Sequence, residues 1–243
     1  MGLLEKTRKL NELLQAYDNV KISELAEVLS ELEGATVYCA DEQGLVMGYK
    51  QLPKYENEDK FVKIAGVKHL TEYYVRYLKN FVQTEIVEQK EDAEDGVKNS
   101  MIVPVYTHSV RLGTLVVDFY RKDIKNDDII LAEFASNALG AAILRAQAVQ
   151  KEQMKMVTVA KASLSFTEKR AVKCIFSEME GTDGYVVASK IADKYSITRS
   201  VIVNALRKME SSGVIETRSL GMKGTYIRIN VPMLAEELEK DTI

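Results

Sequence analysis

The segment "ASKIADKYSITRSVIVNALRK", residues 188–208, constrains this chain more than any other. Two helical apolar patterns meet across only "YSIT", so two short helices must turn sharply and share one core. With Ser196 in the turn, Ile191, Ala192, Tyr195, Ile197, Ile202 and Ala205 fall inside, and small Ala192 sits where the helices approach most closely. Thr198 stands at the start of the second helix, where a hydroxyl accepts an orphaned backbone N–H. Arg199, Ser200, Val203, Asn204 and Arg207 are left outward, and spacings of three and four put them on one face. A DNA major groove asks for such a set. Arg donates twice to guanine or clamps a phosphate, Asn bonds adenine, Ser takes a phosphate oxygen and Val touches a thymine methyl.

The next stretch, "GVIETRSLGMKGTYIRI", predicts a β-hairpin with its tip at 219–224. Arg218, Ser219 and Lys223 sit at that tip, and its glycines allow close backbone approach, so it reads as a wing beside the helix pair. Ser189 and Lys190 join the expected DNA-facing set. A solvated helical hairpin would need spacing, cap, outward set and wing to coincide. A membrane-surface helix wants large apolar residues opposite the bases, whereas Ala192, Ala205 and Asn204 suit tight packing and polar readout.

Charge is segregated to match. Residues 186–230 hold eight Lys or Arg against three acids, a surplus of five, so the remainder carries −8 of a chain whose net charge is −3. The C-terminal part is suited to a polyanion, double-stranded DNA, while the rest keeps the chain soluble. No apolar run approaches the roughly 18 residues of a membrane span, and "MGLLEKTRKLNELL" interleaves charges with leucines, unlike a signal peptide. The expectation is a cytoplasmic protein with no membrane partner.

With 243 residues, 46% of them apolar, the chain can bury two cores. Residues 3–16 and 22–32 read as amphipathic helices, and "ATVYCADEQGLVMGYK" as a hairpin around Glu42-Gln43-Gly44. A helix is expected over 73–81, a surface loop over 85–99, and then two strands, "MIVPVYT" and "RLGTLVVDFY", joined at His108-Ser109. A long helix begins at Asn126 or Asp127 and runs to about 163. Its apolar stripe exceeds what one small sheet covers, so part of it links domains or meets a second subunit. Ser165 and Glu168 have capping-box spacing and open a helix expected to end near Gly181. The fold class is therefore α+β: an antiparallel-sheet sensor domain over 1–150, a helical linker over 151–165 and a winged helix-turn-helix domain over 166–243.

Little points to catalysis. His69 and His108 read as surface or loop residues, and Cys39 and Cys174 as buried thiols; no nucleophile elbow, metal spacing or GxxxxGK[ST] occurs. No catalytic cofactor and no metal are expected. The rival readings are an enzyme and a constitutive DNA-binding protein whose first domain serves dimerisation alone.

At "ASKIADKYSITRSVIVNALRKMESSGVIETRSLGMKGTYI", and at "LLEKTRKLN", "RLGTLVV" and "NDDIILAEF", the chain resembles the CodY family, nutrient-responsive transcriptional repressors of low-GC Gram-positive bacteria. The resemblance covers nearly the whole chain and is most specific in the DNA-binding part. It implies a GAF domain that binds isoleucine, leucine or valine, GTP as a second effector, and a homodimer or tetramer on AT-rich palindromes. Family members that bind isoleucine hold its carboxylate with an arginine, beside two methionines and a Phe-Pro pair from one helical stretch. Here Lys60, Phe61, Ile64, Leu70, Thr71 and Tyr74 align with that group, and the Phe-Pro-Val loop expected before Met101 is absent. Lys60 can pair a carboxylate as a point charge but not bidentately. Two readings of Phe61, Ile64 and Leu70 stay open, an amino-acid pocket and a simple core helix.

Overall fold

The structure, a computed structural model, describes all residues except 17–20, 53–59, 90–97, 121, 180 and 241–243. The chain divides into two compact units, Met1–Ala146 and Gln147–Ile243.

In the first unit, helices α1 (Leu3–Ala16) and α2 (Ile22–Glu33) precede the hairpin β1 (Thr36–Asp41) and β2 (Val46–Lys50). A second hairpin, β3 (Phe61–Ile64) and β4 (Val67–Leu70), leads into α3 (Glu72–Lys79). Then come β5 (Glu85–Gln89), β6 (Lys98–Thr107) and β7 (Val110–Tyr120), before α4 (Asn126–Ser163). Five strands form one antiparallel sheet in the order β2-β1-β7-β6-β5. The β6–β7 turn is tight because His108 and Ser109 both take left-handed φ, 49° and 67°, the geometry whose twist matches a two-residue hairpin.

Strand alternation gives the sheet two working faces. On one, Val37, Cys39, Met101, Val103, Leu115, Val117 and Phe119 pack with Leu25 and Leu29 of α2 and with Leu131, Ala135, Leu139 and Ile143 of α4. Lys6, Lys122, Glu33 and Asp128 tie α1, α2 and the start of α4 through ion pairs of 3.2–3.5 Å. On the other face, Tyr38, Ala40, Ile102 and Val116 pack with Leu70, Tyr74, Leu78 and Phe81. By length and composition α4 is apolar enough to cross a membrane, contrary to the reading that no run approaches such a span. Within that stretch Leu131, Ala132, Ala135, Leu139 and Ile143 are buried in the sheet core.

The second unit packs Val157, Ala160 and Leu164 of α4 with α5 (Phe166–Ser177), α6 (Ala188–Tyr195), α7 (Arg199–Ser211) and the closing α8 (Met233–Glu239). Strands β8 (Asp183–Val186), β9 (Ile215–Ser219) and β10 (Thr225–Ile229) form a three-stranded sheet in the order β8-β10-β9. The Ser165–Glu168 capping box forms, with Ser165 N donating to Glu168 Oε2 at 2.7 Å and Glu168 N donating to Ser165 Oγ at 3.3 Å.

Four further expectations need correction. The segment 85–99 is not a loop throughout: β5 occupies its start and β6 its end, and residues 90–97 lie outside the described residues. Helix α5 stops at Ser177 rather than near Gly181, where Glu178 N turns to Ile175 O. Thr198 occupies the cap position of α7, but its hydroxyl meets the Ser200 hydroxyl at 3.2 Å and bonds no backbone N–H. Phe61, Ile64 and Leu70 do not share a helix; they lie on the β3–β4 hairpin, which turns at Ala65-Gly66 with φ of 50° and 81°.

Candidate nucleic-acid interface and sensor site

The helix-turn-helix turns at Ser196, which holds left-handed φ 53°, ψ 45° and ends α6 by donating its N–H to Ala192 O. Ile197 N donates to the same carbonyl at 3.0 Å, which swings the chain into α7. Ile191, Ile202, Ala205, Leu206 and Met209 are buried, and Ala192, Tyr195 and Ile197 pack against them. This core fixes which side of α7 faces out. Arg199, Ser200, Val203, Asn204 and Arg207 are all exposed there, as are Ser189, Lys190 and Thr198. At the wing, Arg218, Ser219 and Lys223 are exposed where β9 passes through the 3-10 turn Gly221–Lys223 into β10. Gly224 is required there: its φ is +100°, and a Cβ would meet Val186 O at 2.4 Å.

Ion pairing sorts the basic residues of this unit. Lys194 pairs with Glu178 at 2.6 Å, which raises the lysine above its ordinary pKa and lowers the carboxyl. Lys208 pairs with Glu168 at 2.7 Å and donates to Ser163 O at 3.0 Å, tying α7 to the start of α5, and it pulls the Glu168 carboxyl below its ordinary range. Lys190, Arg199, Arg207, Arg218 and Lys223 make no ion pair among the described residues. Glu178 and Glu168 thus neutralise Lys194 and Lys208, while the five cations of the expected DNA-facing set stay exposed.

The sensor residues assemble differently. Lys60 lies just before β3, and its Nζ reaches Asp118 Oδ2 on β7 at 3.1 Å and Tyr38 Oη on β1 at 3.4 Å. Tyr38 and Tyr74 share a buried hydroxyl–hydroxyl bond of 2.8 Å, and their rings lie 5.6 and 5.1 Å from the Lys60 ammonium. Phe61 sets its edge against Tyr38 and Tyr49, Leu70 is buried, and Thr71 caps α3 by accepting from Tyr74 N. Ile64 stands apart at the end of β3, 56% exposed. Burial lowers the Lys60 pKa to about 8 despite the opposing pull of Asp118, with the nearby Lys98 charge lowering it further. Burial likewise pushes the Tyr38 and Tyr74 hydroxyls up.

Tyr38, Lys98, Ser100 and Asp118 escaped the sequence reading. Asp118 accepts from Ser100 Oγ at 2.6 Å, and Lys98 Nζ lies 3.2 Å from its Oδ2; Ser100, Asp118 and Lys98 are all buried. The signal was strand parity. Lys98, Ser100 and Ile102 share one strand parity, as do Val116 and Asp118, so the paired register places all of them on the α3 side of the sheet. Among the described residues no group of three His, Cys, Asp or Glu could hold a metal ion, and Cys39 and Cys174 are buried free thiols.

Comparison with known proteins gives two domain matches, the CodY GAF-like domain over residues 2–164 and the CodY helix-turn-helix domain over 182–241. The chain belongs to the CodY family. It is 42% identical to the global transcriptional regulator CodY of Anoxybacillus flavithermus, over 99% of this chain and 98% of that one. It is 44% identical to the global transcriptional regulator CodY of Thermoanaerobacter sp., over 98% of both chains. Among solved structures, the cofactor-binding GAF domain of the nutrient sensor CodY from Clostridium difficile matches at 24% identity and a TM-score of 0.45, covering 58% of this chain and 97% of that domain. The α+β class therefore holds, with a GAF-like antiparallel-sheet domain, a long helix and a C-terminal helix-turn-helix domain.

Proposed function

We propose that this chain is a global transcriptional repressor, acting in the cytoplasm, that binds AT-rich palindromic operators through α6, α7 and the β9–β10 wing. The observation that carries the reading is the exposed row Arg199, Ser200, Val203, Asn204 and Arg207 on a helix whose opposite side is locked in the core. Arg199, Asn204 and Val203 meet base edges, Ser189, Ser200, Arg207 and Lys190 meet phosphates, and Arg218, Ser219 and Lys223 grip the backbone from the wing. A palindrome requires a two-fold partner, so the working form is a homodimer, with a tetramer available to adjacent sites. The sensor unit and the apolar positions exposed along α4, Leu144, Val149 and Val159, support the pairing.

Ser200→Asp tests this reading. The new carboxylate would sit at the N-terminal turn of α7, where the helix dipole favours it in the free protein. On DNA it would meet phosphates instead. Gel shifts should show a folded variant that no longer binds operator, and operator binding like the parent's would sink the proposal.

The sensor unit is proposed to report a small-molecule effector at the cluster around Lys60. By family resemblance the first compounds to test are isoleucine, leucine, valine and GTP. A second reading, a CodY-like regulator with a changed effector, is favoured by one observation: Lys60 is already paired with Asp118 at 3.1 Å.

A further inference from the structure

We propose that Glu210 is a positioning residue for DNA binding: its carboxylate clasps the wing to the end of α7 and so sets where Arg218, Ser219 and Lys223 reach. This rests on the reading of α7 and the wing as the DNA-binding surface, and it names the part that fixes one against the other.

Glu210 is an acid where none is expected. It lies three residues beyond Arg207 and seven beyond Val203, so helical spacing puts it on the outward face of α7 with them, and all three are exposed. A carboxylate there repels phosphates, so by charge alone a DNA-binding face gains from losing it. The geometry shows what it holds. Glu210 Oε1 accepts the Thr217 N–H at 3.0 Å and the Thr217 hydroxyl at 2.7 Å. β9 is an edge strand of its sheet, and an edge strand leaves N–H groups without a strand partner. Glu210 takes one of them, at the residue just before Arg218.

The clasp acts where the hairpin leaves the core. Thr217 pairs across the hairpin with Ile227, which is buried, whereas Arg218 and Tyr226, one row nearer the tip, are not. The other ties of the hairpin lie elsewhere. Asn230 closes its base, with N donating to Val214 O at 3.0 Å and Nδ2 donating to Gly213 O at 3.2 Å. Its second strand is held by β8, with Tyr226 Oη donating to Asp183 Oδ2 at 2.9 Å. Among the described residues no other side chain of α7 hydrogen-bonds to β9 or β10. The bonds to Thr217 are exposed to solvent, so they add little to stability, and their effect is to fix the angle of the wing. Both end on a single oxygen. A glutamine can therefore keep them without the charge, an alanine keeps neither, and an aspartate keeps the charge on a side chain one methylene too short.

Fluorescence anisotropy of the full chain, on the duplex it selects from a random pool and on random duplex, makes the test. Glu210→Gln should bind at least as tightly as the parent. Glu210→Ala should bind both duplexes about fivefold or more weakly, with a salt slope flatter by about one to two units, as the wing cations leave their phosphates. In a Lys223→Ala chain the same truncation should cost less than in the parent, because part of what it positions is already gone. Hydrogen exchange without DNA should find the Thr217 amide protected in the parent and in Glu210→Gln and fast in Glu210→Ala, with unfolding temperatures close together. Equal affinities for Glu210→Gln and Glu210→Ala, or a fast Thr217 amide in the parent, would overturn the assignment. Should Glu210→Ala not fold, Glu210→Asp takes its place: it should bind as weakly, and parent-like binding by it would overturn the assignment too. Lys223→Ala binding both duplexes like the parent would instead refute the reading of the wing on which this rests.

Discussion

Asn204 and Ile202 lie two residues apart on α7, and truncating each should have opposite consequences. Ile202 is fully buried in the second core. Cutting it to alanine removes most of a packed side chain and leaves a cavity between α6 and α7, at a cost of about 2–5 kcal/mol of stability. Asn204 is exposed and makes no hydrogen bond among the described residues, so its truncation should change stability by no more than about 0.5 kcal/mol. On cognate DNA the order reverses. One lost bidentate contact to adenine costs about 1–3 kcal/mol per half-site, so a symmetric dimer on a full palindrome should lose about 2–6 kcal/mol, or roughly 30-fold to more than 10,000-fold in Kd. Affinity for random duplex should hardly change. Fluorescence anisotropy gives the affinities, and hydrogen exchange of the α7 amides gives local stability without mixing in the first unit's unfolding. Asn204→Ala binding the cognate site like the parent, or loosening α7 as much as Ile202→Ala does, would refute the assignment of Asn204 to the DNA-facing side.

Two further outcomes follow from charges placed by the structure. Lys223, which makes no ion pair among the described residues, should act on phosphate alone: Lys223→Ala weakens cognate and random DNA alike and flattens the salt slope by about one unit. If Lys60 holds an effector's carboxylate, effector binding should fade as pH rises through about 8, because the folded Lys60 loses its proton there, in the company of Asp118, Lys98, Tyr38 and Tyr74. The same depressed pKa means that the unfolded chain holds more protons between about 8 and 10.5, so this group makes the fold more stable as pH rises across that window. Calorimetric titrations and thermal unfolding at pH 7 and pH 9 check both signs.

The elements legible in the sequence were those with one buried side and one wet side. The period of α7 separates Ile202, Ala205 and Met209 from Arg199, Asn204 and Arg207, and the bounds of α1 and α4 matched their apolar patterns. β5 was missed because it is an edge strand whose Ile86 is 44% exposed, so it shows little burial to read. The β3–β4 hairpin was missed because alignment to a helical stretch outweighed its own turn signal, Ala65-Gly66. In the sensor, Lys60 was foreseen from resemblance, whereas its partners Tyr38 and Asp118 lie 22 and 58 residues away and become neighbours only once β1, β7 and the hairpin are assembled. Lys98 and Asp118 read as ordinary charges until the register, which pairs Ser100 with Asp118, places them diagonally on one buried sheet face.

The central claim is that α7 and the wing read a two-fold-symmetric DNA site. The most direct measurement is selection of binding duplexes from a random-sequence pool by the full chain, repeated with Asn204→Ala. The parent should enrich an AT-rich palindrome, and the variant should relax the choice at one symmetric pair of adenines while keeping the rest of the site. Enrichment of an asymmetric site, or the same site with the same strictness from the variant, would contradict it.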